Sequence, residues 1–368
     1  MQAAMKRALF LKPLTLSSIC LLVACAGQQS KPNIGDQACW LEQPITEERI
    51  GQFGLARDLY IGGETPITKS RKRAVASLAD YLAVNQDIES VLESVNDKVD
   101  SASLNGQTLY FSDEFSLDGY AYSYATLDKV EISKQCPPQS CDISACQPAW
   151  LCTPSKGDQI AMLGVSYQAT SPVEQHYKSI ENALMQAEYM YGVDIVAQKN
   201  FRQTNSNYFR YNVFKQDGEV NTGTQEALSY AVTDRCSSQG TLYSRVALYG
   251  DIRQSEAKPV TNNAWLKDPK HLGYDGAIGS VQKPVASGLI SDQIKLAIKR
   301  AAIQLAFEKE SDVSEESVII QRGDNSSLLI SNINENTNVK LHAKVLSIHF
   351  KESEGGQLEV FAWLARIN

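Results

Sequence analysis

Apolar positions along this chain keep two rhythms, and each rhythm comes round three times. Compact apolar segments lie at 50–56, 160–166 and 277–281, each with a glycine inside, and their length and flanks predict strands. After each of them the spacing widens to three and four. Val75, Leu78, Ala79 and Leu82 predict one helix, with Lys69 to Leu82 as its span; Tyr177, Ile180, Leu184, Ala187 and Tyr191 predict a second; Ile290, Ile294, Ala297, Ile298, Ala301 and Leu305 predict a third. Ser171-Pro172-Val173-Glu174 opens the second helix as a capping box, with proline where no helical hydrogen bond is lost. Two strand-like runs follow each helix: Thr108–Phe111 and Tyr120–Leu127, turned by Asp118-Gly119; Tyr208–Phe214 and Leu242–Tyr249; Val339–Phe350 and Leu358–Leu364. The plan is α+β: three tandem strand-helix-strand-strand units, each a mostly antiparallel sheet with one packed helix.

A rarer residue sets the register of these units. Trp40, Trp150 and Trp265 are each followed by Leu, then by a proline four positions on (Pro44, Pro154, Pro269), then by a glycine fourteen positions on (Gly54, Gly164, Gly279). Three of the four tryptophans fall in this frame, which marks an internal triplicate. The residue types predict structural roles. An indole is a large apolar anchor with one donor to satisfy, proline stiffens a strand entry, and glycine in a strand permits close approach. Unit one is expected over 39–135, unit two over 149–260 and unit three over 261–368, with a cysteine-rich junction over 136–148.

The ends of the pattern alter the picture. Lys6, Arg7 and Lys12 precede an apolar run ending Leu22-Val23-Ala24-Cys25, the layout of a signal peptide over 1–24. Leu-Val-Ala-Cys also matches the lipobox of bacterial lipoproteins, which predicts lipidation of Cys25 and a polar tether over 25–38. Acyl chains hold a protein on a membrane without crossing it. Ala26, where an aspartate would favour the inner membrane, points to the outer one. Loss of 1–24 removes Lys6, Arg7 and Lys12 and takes the formal charge from -7 to -10, which argues against a nucleic-acid partner. Six further cysteines remain: Cys39, Cys136, Cys141, Cys146, Cys152 and Cys236. An even number in an exported chain predicts up to three disulfides, with connectivity open. The alternative, a four-thiolate zinc site, lacks the tight C-x-x-C pairs.

A tryptophan with a following proline, a glycine-containing strand, and a helix of the Lys/Arg-Ala type, all behind a lipobox, resembles the LPP-twenty lipoprotein family. The resemblance covers Trp40–Leu82, Trp150–Tyr191 and Trp265–Leu305, and the strands that follow fit only loosely. Its familiar members carry one such unit, against three here. Met185, Tyr189 and Tyr191 depart from the small-residue helix pattern. The resemblance implies a non-enzymatic, outer-membrane-tethered part of an envelope assembly, flagellum-associated in some members, with protein partners.

Candidate chemistry is sparse. His176, His271, His342 and His349 do not recur between units, and neither a nucleophile elbow nor a phosphate loop is present. No catalytic residue, metal or cofactor is expected. The sharpest charge feature is the run Lys69, Arg71, Lys72 and Arg73, a basic helix face that could meet a carboxylate or phosphate partner. The rival to a scaffold is a module that captures a glycan or peptide on its tryptophans or sheet edges.

Overall fold

A computed structural model describes residues 37–59, 62–84, 88–129, 135–157, 159–167, 171–206, 210–222, 229–249, 263–321, 327–352 and 357–367. The expected signal segment, Cys25 and most of the expected tether lie outside them, as do Tyr208, Phe209, Gly355 and Gly356. Asp36–Asn368 form one compact unit. The chain is α+β, with four α-helices among the described residues and strands paired throughout in antiparallel fashion.

The first sheet grows from β2 (Gly51–Arg57), which follows β1 (Gln37–Ala38). Helix α1 (Pro66–Leu82) packs on it; Thr65 caps the helix by accepting from the Thr68 amide at 3.1 Å, and Ala83 stops it in the left-handed region. Then come α2 (Ile88–Ser94), β3 (Ser101–Leu104), β4 (Gln107–Phe111), β5 (Phe115–Leu117) and β6 (Tyr120–Thr126). The order is β2-β6-β4-β3, with β5 also on β6. Asp118-Gly119 turns the chain between β5 and β6, both residues at positive φ. The short β7 (Gln135–Cys136) pairs with β1.

The second sheet has the order β11-β12-β8, from β8 (Ala161–Ser166), β11 (Ser229–Ser238) and β12 (Thr241–Tyr249), with α3 (Pro172–Tyr191) against it. Between α3 and β11 the chain runs out and back as β9 (Val193–Ser206) and β10 (Arg210–Thr222). The third sheet has the order β13-β17-β16, from β13 (Gly276–Val281), β16 (Ala343–Glu352) and β17 (Leu358–Arg366), with α4 (Ile290–Lys309) against it. A second long hairpin, β14 (Asp312–Gln321) and β15 (Ser327–Leu341), follows α4. The two hairpins join into one four-stranded sheet, β10-β9-β15-β14, whose central pair runs in register from Val193 opposite Leu341 to Ser206 opposite Leu328.

These hairpins correct the expected strand-helix-strand-strand plan. The second and third helices lead into long strands that pair with each other before the local sheet is completed, and Tyr208–Phe214 and Val339–Phe350 do not stand as single strands. Val339 lies within β15, which closes at Leu341, His342 separates the two strands, and Ala343 opens β16. The sequence hides the hairpins because their outer parts are polar: Asn332, Asn334, Asn336 and Asn338 alternate along β15. A period-two reading keyed to apolar residues passes over such a strand.

Helix burial follows the spacing, with one shift. Val75, Leu78 and Ala79 of α1 and Ile294, Ala297, Ile298, Ala301 and Leu305 of α4 are buried. In α3 the buried stripe runs through Ile180, Ala183, Ala187 and Met190, and Tyr177 at the expected start is 41% exposed. One core cluster draws together Leu163, Val165, Val193 and Ile195 with Ala297, Ile298, Ile348 and Leu364, so the second and third sheets share their interior.

Candidate functional site

The frame residues have one geometry in three places. A Cβ on Gly54 would stand 2.1 Å from the Ser70 carbonyl oxygen, on Gly164 2.0 Å from that of Ser179, and on Gly279 1.9 Å from that of Ala297. Glycine is there because helix and strand backbones touch. Opposite these glycines in the neighbouring strands stand Ser123, Ser244 and Ala362. The next strand residue, Tyr124, Arg245 or Trp363, reaches back to the frame proline. The Tyr124 hydroxyl donates to the Pro44 carbonyl at 2.5 Å, Arg245 Nε to that of Pro154, and Trp363 Nε1 to that of Pro269 at 2.8 Å. Burial pushes the Tyr124 phenol well above its ordinary range and keeps it a donor. Three chemically different donors therefore satisfy the equivalent proline carbonyl, buried at Pro44 and Pro154 and partly buried at Pro269, which explains how the turn after each tryptophan is held.

The tryptophans are anchors. Trp40 is 1% exposed and stacks on Tyr124 at 5.3 Å between centroids; Trp265 is fully buried and stacks on Trp363 at 5.5 Å. Trp150 is half-buried against the shared core. No solvent-facing row of indoles exists among the described residues.

The basic run does not form one exposed face. Arg71 is buried, with Nη1 donating to the Asn96 and Val99 carbonyls at 2.8 Å each. Lys72 pairs with Glu64, and Arg73 Nη1 donates to the Leu55 carbonyl, leaving Lys69 as the exposed member. Arg300 does for the Ser280 carbonyl what Arg73 does for Leu55, each bracing the residue after the frame glycine from its helix. The arginine-alanine signature is thus a packing device: the guanidinium braces the strand and the alanine makes room.

All six described cysteines pair: Cys39 with Cys136, Cys141 with Cys236, and Cys146 with Cys152, at Cα separations of 4.9, 5.7 and 5.5 Å. The first ties the residue just after β1 to β7, and the second ties the junction to β11.

Polar groups do converge between the first and second sheets. A cleft of about 310 Å3 is lined by Glu42, Asp118, Tyr122, Gln175, Arg235 and Ser237, among others. The Arg235 guanidinium lies over the Phe53 ring at 4.8 Å. Among the described residues it donates no hydrogen bond and pairs with no carboxylate, and burial lowers its pKa. Glu42 accepts from Gln37 Nε2 at 2.7 Å and from the Gln139 amide, and desolvation raises its carboxyl. His176, its ring tilted against Phe53 with centroids 4.8 Å apart, is buried with Nδ1 unpartnered, and desolvation holds it well below the ordinary histidine range. This is a cation with five unused donors beside a carboxylate, suited to a small ligand bearing both an anion and a hydrogen-bond donor. Its residues lie far apart in sequence, and none belongs to the recurring tryptophan-proline-glycine frame, so spacing could not find them. His271 opens the 3-10 helix His271–Gly273, His342 stands between β15 and β16, and His349 is on β16.

Among the described residues no group of three histidine, cysteine or carboxylate side chains could hold a metal ion, and no helix is long and apolar enough to cross a membrane. Compared with known proteins, the chain matches no family model, no curated protein and no solved structure.

Proposed function

We propose that this chain is a non-enzymatic lipoprotein of the outer membrane, built from three copies of one α+β unit (39–135, 149–260, 261–368), and that it is a structural or assembly component of the cell envelope. The lipobox Leu22-Val23-Ala24-Cys25 supports the anchor, and the resemblance to the LPP-twenty family supports the envelope setting and a flagellum-associated role.

The observation that carries the scaffold reading is a contact made twice. The carbonyl two residues after Trp40, that of Glu42, accepts from the Arg235 amide of the second sheet at 2.8 Å. The carbonyl two residues after Trp150, that of Cys152, accepts from the Ile348 amide of the third sheet at 3.0 Å. The helix ends match too: the Tyr81 carbonyl at the end of α1 accepts from the Ser229 hydroxyl at 2.6 Å, and the Met190 carbonyl in α3 meets His342 Nδ1 at 3.3 Å. Each unit engages the next head to tail through equivalent atoms, as stacked repeats do. The test is fractionation of cells expressing the tagged native chain, mass analysis of its N-terminus and affinity purification. A diacylated Cys25 in the outer membrane, with envelope or appendage proteins co-purifying, is expected; an unlipidated chain with no such company overturns the reading.

One observation favours a second reading, a periplasmic or surface module that captures a peptide or glycan. It is the Arg235 cleft; the buried tryptophans offer no platform. Titration with a dipeptide should change Trp40 fluorescence in the wild type and not in Glu42→Gln or Arg235→Gln, and no response in the wild type sinks it.

A further inference from the structure

The head-to-tail contact has two unused ends, and they are complementary. The donor amides that it uses, Arg235 and Ile348, stand opposite Ser244 and Ala362, just past a break in pairing between Val232 and Asp234 in one strand and between Val345 and Ser347 in the other. The first sheet breaks in the same place: Phe111 pairs with Ala125 and Phe115 with Tyr122, leaving Ser112, Asp113 and Glu114 between. Glu114, next before Phe115, holds the position of Arg235 and Ile348. Among the described residues its amide donates to nothing. In the second and third sheets the preceding unit fills this place, whereas here Ser112, Asp113, Glu114 and Phe115 border a cavity of about 150 Å3 beside Trp40. β3 pairs only with Gln107–Tyr110 and leaves the break open.

At the other end of the chain, the carbonyl two residues after Trp265 belongs to Lys267. It corresponds to those of Glu42 and Cys152, yet among the described residues it accepts nothing. Lys267 and Lys270 are exposed around it, and Leu272 nearby is 64% exposed. Asp113 and Glu114 at the first break are exposed as well. One end thus offers an acceptor within a partly apolar turn where two exposed lysines outnumber the exposed Asp268, and the other offers a donor within an acidic notch.

We propose that a second copy of this chain docks there. The Lys267 turn of one copy seats at the Ser112–Glu114 break of the next, the Glu114 amide donates to the Lys267 carbonyl, and Lys267 and Lys270 face Asp113 and Glu114. This rests on the reading of the chain as three like units. Such a contact joins unlike surfaces, so it propagates into a ring or a filament.

The experiment uses the full lipidated chain in detergent and on vesicles, sized by light scattering and mass photometry. Oligomers are expected that dissociate about tenfold more readily at high salt, because the facing charges are exposed. Asp113→Lys with Glu114→Lys leaves two basic ends, and Lys267→Glu with Lys270→Glu leaves two acidic ones, so each double variant alone should be monomeric with unchanged thermal unfolding. Mixed together they should assemble again in alternation. Glu114→Cys with Lys267→Cys should give a ladder of cross-linked copies on oxidation. A wild type that stays monomeric to about 0.1 mM, a mixture that does not reassemble, or a cross-link confined to one chain overturns the proposal. A monomer that still co-purifies envelope proteins removes the self-contact and keeps the scaffold reading, whereas an oligomer without such company does the reverse.

Discussion

Two buried serine pairs sit at one position of the fold. Ser70 and Ser123 hydroxyls meet at 2.6 Å, and Ser179 and Ser244 at 2.8 Å, each pair bridging helix and strand beside a frame glycine. Beside Gly279, between α4 and β17, both members are alanine, Ala297 and Ala362, fully buried. The chain keeps both hydroxyls or neither, as expected when an orphaned buried hydroxyl costs more than an apolar pair. Ser179→Ala alone, which strands the Ser244 hydroxyl, should destabilise by about 1–3 kcal/mol. Adding Ser244→Ala should recover most of that, and urea titrations of the four-member cycle would show it; additive losses would refute the pairing. His176 gives a pH prediction. Its folded pKa lies well below 6.5, so the unfolded chain binds the extra proton as pH falls through 6.5, and the stability associated with neutral His176 is lost on acidification. Between pH 6.5 and 5 the wild type should lose up to about 1.4 kcal/mol per pH unit more than His176→Phe. Parallel pH profiles would count against it.

Among the elements, the junction has no counterpart elsewhere in the chain. Cys141–Cys236 spans 95 residues and fastens the junction to β11, while Cys146–Cys152 spans 6. Loop entropy in the unfolded state makes the first worth about 4–5 kcal/mol and the second about 2 kcal/mol. Removing each pair as alanines and titrating with guanidinium should give that ranking, and equal losses would show that native contacts dominate over chain entropy. Gln52 of β2 joins the first sheet to β11 without a covalent bond: its amide donates to the Val232 carbonyl at 3.0 Å, and its oxygen accepts from the Val232 amide at 3.3 Å. A single buried glutamine thereby supplies both partners where β11 departs from regular pairing. In the sequence Gln52 reads as a lone polar residue in an apolar strand, because its partner lies 180 residues away.

At the scale of the whole molecule, the second and third sheets share one core, and the hairpins that follow α3 and α4 share one four-stranded sheet, so neither region buries its own apolar surface alone. They should unfold together. Calorimetry should show one transition covering both, and native-state hydrogen exchange should give β9 and β15 the same opening energy; two separate transitions would contradict the shared core. Much of this molecule is local and therefore legible in the residues. Helices, turns and the tryptophan-proline-glycine frame follow from spacing, capping and steric size, which act over a few positions, and the even cysteine count follows from covalent chemistry. Other features required the folded chain. The pairing of two polar hairpins, the partners of the cysteines, the burial of Arg71 and the convergence of Glu42, Arg235 and His176 all depend on contacts between residues far apart in sequence. Such contacts are selected by the combined packing of several elements, and no single segment carries that information.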